Sequence, residues 1–410
     1  MSATECEASG SWDGAPGAGG ATGMKVLFVS PYPPAKDGIG AYTRSLVTAL
    51  RDAGADARVV VPRPQPDPGQ HVLGALRRRR SGLARLSEVV AAWGPDIIHV
   101  QFAVAAYGAR VGNLLAWLDH VRSVMHVPVI VTMHEVTRDT AALRNPGRVL
   151  YRSLLARCDH VIVHTNAARS ILTQQLDVPA GKVSVIPHTA APAPRAVSTQ
   201  ADLRERYGLG DAELLISFGF VHVDKGLDDL IRCLRIVRGS DSTLLENVRV
   251  VVAGTVRPRR GLFRVFELRD WLHLWRVLQM ARWGQLRHLI VVTGYVPDAD
   301  VAGWFEAAAG IVLPYKRTEQ SGVAALANAA GAPVLASTAG GLGEQYEGSE
   351  WLFPPQSPEE FAKVLTRFLC SPVSQRAGAT RADAHFVLET TLSLYHSTIS
   401  YRTVRAAADR

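Results

Sequence analysis

Apolar residues in this chain come in short unbroken runs, separated by stretches whose apolar positions recur every three or four residues. In the first half the runs fall at 25–30, 57–61, 96–101, 127–133, 160–164 and 183–187; in the second they fall at 213–220, 248–253, 289–293, 310–313 and 333–337. Runs that are apolar at consecutive positions predict strands covered on both faces, and the 3.6-residue period between them predicts helices. Strand and helix alternating twice over predicts two doubly wound α/β domains, each with a parallel sheet, facing across a cleft. The proline-rich stretch at 189–200, TAAPAPRAVSTQ, reads as the connection between them. The expected division is a disordered leader at 1–23, a first domain at 24–190, a linker at 191–203, a second domain at 204–385 and a C-terminal helix at 386–410 that packs back on the first domain.

Composition narrows the class. With 410 residues and 47% hydrophobic content the chain can build two cores. The segment 1–23 is rich in Gly, Ala and Ser, with Met24 as an alternative start, and it carries no basic-then-apolar signal pattern. No stretch approaches the roughly 18 uncharged apolar residues of a membrane-spanning helix. Cys6, Cys158, Cys233 and Cys370 lie far apart without metal spacing, as expected of reduced thiols in a cytoplasmic protein.

The net charge of +8 comes mainly from arginine and is clustered. Four consecutive arginines, Arg77, Arg78, Arg79 and Arg80, cannot all face inward, so peripheral contact with an anionic membrane stands level with a solvated surface there. The second cluster, at 257–287, mixes arginine with Trp271, Trp275 and Trp283; its helical spacing favours a solvated arginine face with the tryptophans turned into the core. No nucleic-acid partner is expected.

Candidate chemistry sits where predicted strands end. After the first strand, Gly38 and Gly40 flank Ile39 just before a helix, where backbone can approach a bound group and amides can take a phosphate; a turn serving chain reversal alone gives the same pattern. His134 and Glu135 end the fourth strand, and a histidine there serves either catalysis or packing. His222 and Lys225 lie in the loop opening the second domain, and lysine there suits a phosphate. Residues 313–344 read as strand, polar loop, helix start near Gly322, strand and glycine turn, the shape of an anion site. Asp298 and Asp300 fit an acidic first helical turn better than a metal pair, and GTVRPRRG at 254–261 is not a dinucleotide fingerprint.

Taken in order, DGIG, PDIIHVQF, the HE pair after VIVTM, VIPH, FGFVHVDKG, GYVPDAD, and LPYKRTEQSGV followed by GAPVLASTAGGLGE resemble the retaining glycosyltransferases of family 4, also called group 1, which have the GT-B fold. The resemblance covers nearly all of 24–385. It implies that Lys225 binds the donor diphosphate, that His222 stands where the family usually has arginine, and that Glu319 contacts donor-sugar hydroxyls. The partner glutamate that grips the ribose should fall at 327, where the chain has Ala327. It also implies that His134 faces the donor sugar, that Gly38 and Gly40 reach the diphosphate, and that Tyr295, Val296, Gln320, Ser321, Gly322 and Val323 hold the nucleotide.

Such proteins use no metal and no cofactor, because helix dipoles and basic side chains carry the leaving-group charge. The implied activity is transfer of a sugar from a nucleotide-sugar to a polysaccharide precursor, glycolipid or small natural product, with loops 102–111 and 136–148 selecting the acceptor. The implied setting is a bacterial cytoplasm or the inner face of the plasma membrane. A GT-B sugar epimerase and a catalytically silent GT-B scaffold remain the alternatives.

Overall fold

The computed structural model describes residues 21–35, 37–67, 69–77, 79–188, 198–258, 264–376 and 384–408. Most of the expected leader and of the expected linker, together with Arg78 and the side chain of Arg80, lies outside the described residues. Residues 21–23, which fall in the expected leader, are seated in the structure: Ala21 is buried and Gly23 N donates to Gly54 O at 3.1 Å.

The first domain runs β1 (Lys25–Val29), α1 (Gly38–Asp52), β2 (Asp56–Val61), β3 (Val72–Ala75), α2 (Arg80–Trp93), β4 (Ile97–Phe102), α3 (Val104–Tyr107), α4 (Val111–Met125), β5 (Val129–Met133), α5 (Val136–Leu155), β6 (His160–Val163), α6 (Asn166–Gln175) and β7 (Val183–Val185). The second runs α7 (Gln200–Tyr207), β8 (Glu213–Phe218), α8 (Leu227–Ser240), β9 (Val248–Ala253), α9 (Arg264–Trp283), β10 (Ile290–Val292), α10 (Asp298–Ala307), β11 (Ala308–Leu313), α11 (Gly322–Ala330), β12 (Val334–Ser337), α12 (Gly341–Gln345), β13 (Leu352–Phe353) and α13 (Pro358–Cys370). A last helix, α14 (Ala384–Ala408), follows.

Among the described residues the sheets are parallel, with orders β3-β2-β1-β4-β5-β6-β7 and β10-β9-β8-β11-β12-β13. Every run that predicted a strand became one. Two strands escaped the hydrophobic pattern, β3 and β13, and both are short edge strands with one neighbour, where burial no longer demands a continuous apolar run.

The strand sequences follow from being covered twice. Leu27 and Val29 pack with Trp117 and Tyr107 on one face of the first sheet, while Val26 and Phe28 pack with Tyr42 and Tyr395 on the other. In the second sheet Leu215 joins one core and Leu214 and Ile216 the other. At about 1.5–3 kcal/mol for each fully buried large apolar side chain, these layers dominate stability.

Helix α14 lies against the first domain: Tyr395 Oη is 2.6 Å from His99 Nδ1, and Arg402 donates to His126 O at 2.8 Å. Segment 198–207 is tied to the second domain, where Ser198 Oγ donates to Asp300 Oδ1 at 2.6 Å and Arg206 pairs with Asp300 Oδ2 at 2.9 Å. Asp300 thus fastens chain to helix.

The structure corrects the reading of the tryptophans at 257–287. Trp271, Trp275 and Trp283 are 48%, 59% and 79% exposed, and the core-facing stripe of α9 is Asp270, Leu274, Val277 and Ala281 instead. Apolar residues recur on more than one side of this helix, so periodicity alone could not say which side would be covered.

Candidate functional site

Each sheet reverses its strand order once, between β1 and β4 and between β8 and β11. Ligands of open α/β sheets bind beyond the strand ends at such points. The loops that leave these strands carry most of the residues singled out by sequence.

Glu319, in the loop after β11, crosses to the first domain, where its Oε2 accepts from Thr137 N at 2.8 Å in the first turn of α5. A carboxylate at a helix N-terminus is stabilised by unpaired amides and the helix dipole. Here burial outweighs that, and Glu135 and Asp139 add repulsion, so the Glu319 pKa is raised to about 7. Its Oε1 is buried without a hydrogen-bond partner.

Beside it, Gln320 Nε2 lies 3.5 Å from His134 Nδ1, and His134 Nε2 lies 2.8 Å from Gln101 Oε1. Since Gln101 Oε1 can only accept, the His134 proton sits on Nε2 and Nδ1 is left as an acceptor on the side of the donor loop. Gln101 Nε2 continues at 3.1 Å to His99, which reaches Tyr395. A buried line of polar groups therefore runs from α14 to the loop at 320.

Sequence reasoning did not single out what surrounds His134. Tyr42 packs against His134, His164 and His188 with ring centroids 5.3, 5.5 and 4.6 Å away. Burial holds all three histidines neutral: His164 is lowered to about 4, His134 and His188 well below their ordinary value. His164 Nε2 and His188 Nδ1, like Gln320 Oε1, are buried without partners. Buried polar atoms left unsatisfied cost about 1–3 kcal/mol each, and a ligand rich in hydroxyls would satisfy them. The only sequence signals were VIPH, which ends in His188, and the polar end of the β6 run at His164.

Lys225 ends a single turn of 3₁₀ helix, Val223–Lys225, with its ammonium 3.7 Å from the centre of the Tyr315 ring and donating to Tyr315 Oη. Ser321 Oγ, 3.5 Å from the same Tyr315 Oη, caps α11 by accepting from Ala324 N at 3.2 Å. Lys225 and the helix start that includes Gly322 and Val323 are thereby brought to one corner. Gly226 permits this approach: its φ is +68°, and a Cβ there would lie 1.7 Å from Pro314 O. His222 Nδ1 faces Asp224 Oδ2 at 3.8 Å.

Gly38 and Gly40 open α1, but Asp37 accepts from Ile39 N and Gly40 N at 2.9 and 3.3 Å, and its other oxygen pairs with Arg257 of the second domain at 2.9 Å. The amides expected to meet a phosphate are thus covered by a carboxylate, itself matched to an arginine. Tyr295 and Val296 follow the edge strand β10, three places from β11, with Tyr295 half-exposed and Val296 buried. Ala327 is fully buried in the apolar cluster containing Val334, Ala336 and Leu342. A glutamate at that position would have to leave the core to reach a ribose.

A second carboxylate bridges the domains. Glu344 accepts from Asn166 N at 2.7 Å and Ala167 N at 3.0 Å, capping α6 as Glu319 caps α5. Close packing of the Gly340–Gly341 turn fixes both loops: a Cβ on Gly341 would lie 2.1 Å from Glu319 O and 2.5 Å from Thr165 Cγ2. Gly341→Ala is therefore expected to shift Glu319 off Thr137 and reduce activity on the order of 10²-fold, with little change in the melting of the first domain; single-turnover kinetics and thermal melting check this. Among the described residues no group of three or more His, Cys, Asp or Glu side chains is placed to hold a metal ion.

Residues 36–190 match the family model described as Glycosyltransferase Family 4, and residues 212–371 match Glycosyl transferases group 1. A D-inositol 3-phosphate glycosyltransferase of Xylanimonas cellulosilytica is 27% identical over 262 residues, covering 60% of this chain and 56% of that protein. The chain thus spans little more than half the length of this relative. The protein of the same name from Kineococcus radiotolerans is 27% identical over 354 residues, covering 77% of this chain and 74% of that protein. Among solved structures, Anabaena HepE in complex with UDP superposes with a TM-score of 0.64 at 14% identity, covering 94% of this chain and 99% of that one. The two matches fall in order on the two domains, over a shared two-sheet architecture, and the chain belongs to the group 1, or family 4, glycosyltransferases of the GT-B fold.

Proposed function

We propose that this protein transfers a glycosyl group from a nucleoside-diphosphate sugar to an acceptor hydroxyl with retention of anomeric configuration and without a metal ion. The observation that carries this reading is Glu319, set against the start of α5 with one oxygen unpartnered, next to a neutral His134 whose Nδ1 is an acceptor. These atoms would bind sugar hydroxyls. Lys225, Arg257 and the amides opening α11 are the groups that would meet a diphosphate.

As the bond between anomeric carbon and phosphate oxygen breaks, its electron pair goes to the phosphate. The acceptor oxygen attacks the same face and its proton passes to that phosphate oxygen, so no separate base is required. Fixed donors aimed at the developing charge would supply the acceleration, and Glu319, Glu344 and Asp37, which tie the domains together, would hold them close enough to limit water at the reacting carbon.

HepE was solved with UDP, which supports a uridine donor; the names of the relatives make a phosphorylated cyclitol the first acceptor to try. The test is a panel of UDP-, GDP-, dTDP- and ADP-sugars without acceptor, scored for slow hydrolysis and thermal shift in the presence of EDTA. One donor should be hydrolysed and should stabilise the fold by about 2.7 kcal/mol at a hundred times its Kd. Lys225→Ala should lower hydrolysis on the order of 10²-fold. Inversion of the product anomer would overturn the mechanism. If no donor binds, a catalytically silent scaffold replaces the transferase reading, with Ala327 as its mark.

A further inference from the structure

Helix α9 carries two apolar stripes. One, Leu274, Val277 and Ala281 with the buried Asp270, enters the core of the second domain. The other is Val265, Leu268, Leu272, Trp275 and Trp283, spaced by three, four, three and eight residues, on the opposite side of the helix. All five are solvent-exposed, from 53% at Leu272 to 79% at Trp283. A helix apolar on both faces is expected in an interior, and an exposed face of this kind marks a contact surface.

Charge says what the contact is. Arg264, Arg269, Arg276 and Arg282 are exposed along the flanks of the outward stripe, while Asp270 is buried and 3.2 Å from Arg269. At the C-terminal end of the helix, Arg235, Arg238, Trp283 and Gln285 line a shallow depression of about 330 Å³. Two copies meeting through this face would bring like charges together. Tryptophan and leucine between arginines are instead what the boundary of an anionic bilayer accepts: apolar side chains enter the acyl region, tryptophan lies at headgroup level, and guanidinium groups pair with phosphates.

We propose that the outward face of α9 docks this protein on an anionic membrane surface. The inference does not depend on the transferase reading. No helix among the described residues is long and apolar enough to cross a membrane, so the association is peripheral.

The experiment mixes the purified full chain with vesicles of phosphatidylcholine alone or with phosphatidylglycerol. Sedimentation and tryptophan emission are followed. The protein should sediment with the anionic vesicles, its emission should shift to the blue, and binding should weaken as salt shortens electrostatic reach. The double variant Leu272→Glu/Trp275→Glu should bind at least ~10-fold more weakly with unchanged melting, because both side chains are on the surface. Arg276→Glu/Arg282→Glu should do the same without touching the apolar stripe. Arg77→Gln/Arg79→Gln should bind like the wild type. The proposal fails if the full chain ignores anionic vesicles, if binding is lost only in the Arg77/Arg79 variant, or if ultracentrifugation shows a dimer that Leu272→Glu/Trp275→Glu converts to monomer.

Discussion

Glu319→Gln should abolish sugar transfer, on the order of 10³-fold in kcat/KM, while making the free protein more stable above pH 7. The carboxylate is raised to about 7 by burial first and by Glu135 and Asp139 second, against the favourable amides of Thr137 and Val136. A carboxyl group raised in the folded state is disfavoured there when ionised. Its cost is absent below the unfolded value near 4.5, grows as pH rises and is fully present above about 7. Glutamine is uncharged at every pH and still offers an oxygen to Thr137 N, so its gain in melting temperature should appear between pH 5 and 8 and be largest at the top. Loss of activity follows because an amide accepts hydrogen bonds from hydroxyls less strongly than a carboxylate does. Activity of the wild type should accordingly rise through pH 7. A variant within threefold of wild-type activity, or one less stable at pH 8, would show that Glu319 is a structural cap alone.

Acidification should unfold the first domain before the second, between about pH 6 and pH 4.5. His99 is lowered to about 3 and His164 to about 4, and His134 and His188 lie well below their ordinary value, in each case with burial as the leading cause. Lowered histidines bind no proton in the folded state at pH 5, whereas the unfolded chain takes one each below about 6.5. The unfolded state therefore gains protons and stability falls with pH, by about 1.4 kcal/mol per pH unit for each histidine that stays neutral. Over two units His99 and His164 together would cost about 5–6 kcal/mol, and His134 and His188 add to this in the same direction, against a marginal stability of about 5–15 kcal/mol. Glu319 acts in the opposite sense but is a single group. Urea unfolding at pH 7.5, 6.5 and 5.5, with proton uptake measured directly, tests this. His164→Gln should remove about one proton from the uptake, and an unchanged urea midpoint from pH 7.5 to 5.5 would mean that the histidines are already charged or still wet.

Much of the site was legible because strand ends are. A strand buried on both faces is an unbroken apolar run, so where the run stops the carboxyl-end loop begins, and His134, Lys225 and the loop at 314–321 could be placed without any contact being known. Side chains that meet from distant segments left no such trace. Asp37 reads as an ordinary helix cap, and nothing local says that its second oxygen meets Arg257, 220 residues away. Glu344 reads as the end of a glycine turn, and its role at α6 exists only because Gly340 and Gly341 lie against the Glu319 loop. His99, at the middle of an apolar strand, gave no sign that it joins Tyr395 of α14 to His134 through Gln101.

The sequence by itself determined the class of fold, the two-domain repeat, the order of the motifs and the loops that hold them, since these depend on local periodicity and on which residues can turn or cap. Only the tertiary structure decided which groups are dry and which face water. It buried Ala327, neutralised the histidines around Tyr42, raised Glu319 and left the tryptophans of α9 outside. Burial, and the pKa values and unpaired atoms that follow from it, is set by what the rest of the chain brings to each side of a helix or strand. No window of neighbouring residues contains that information.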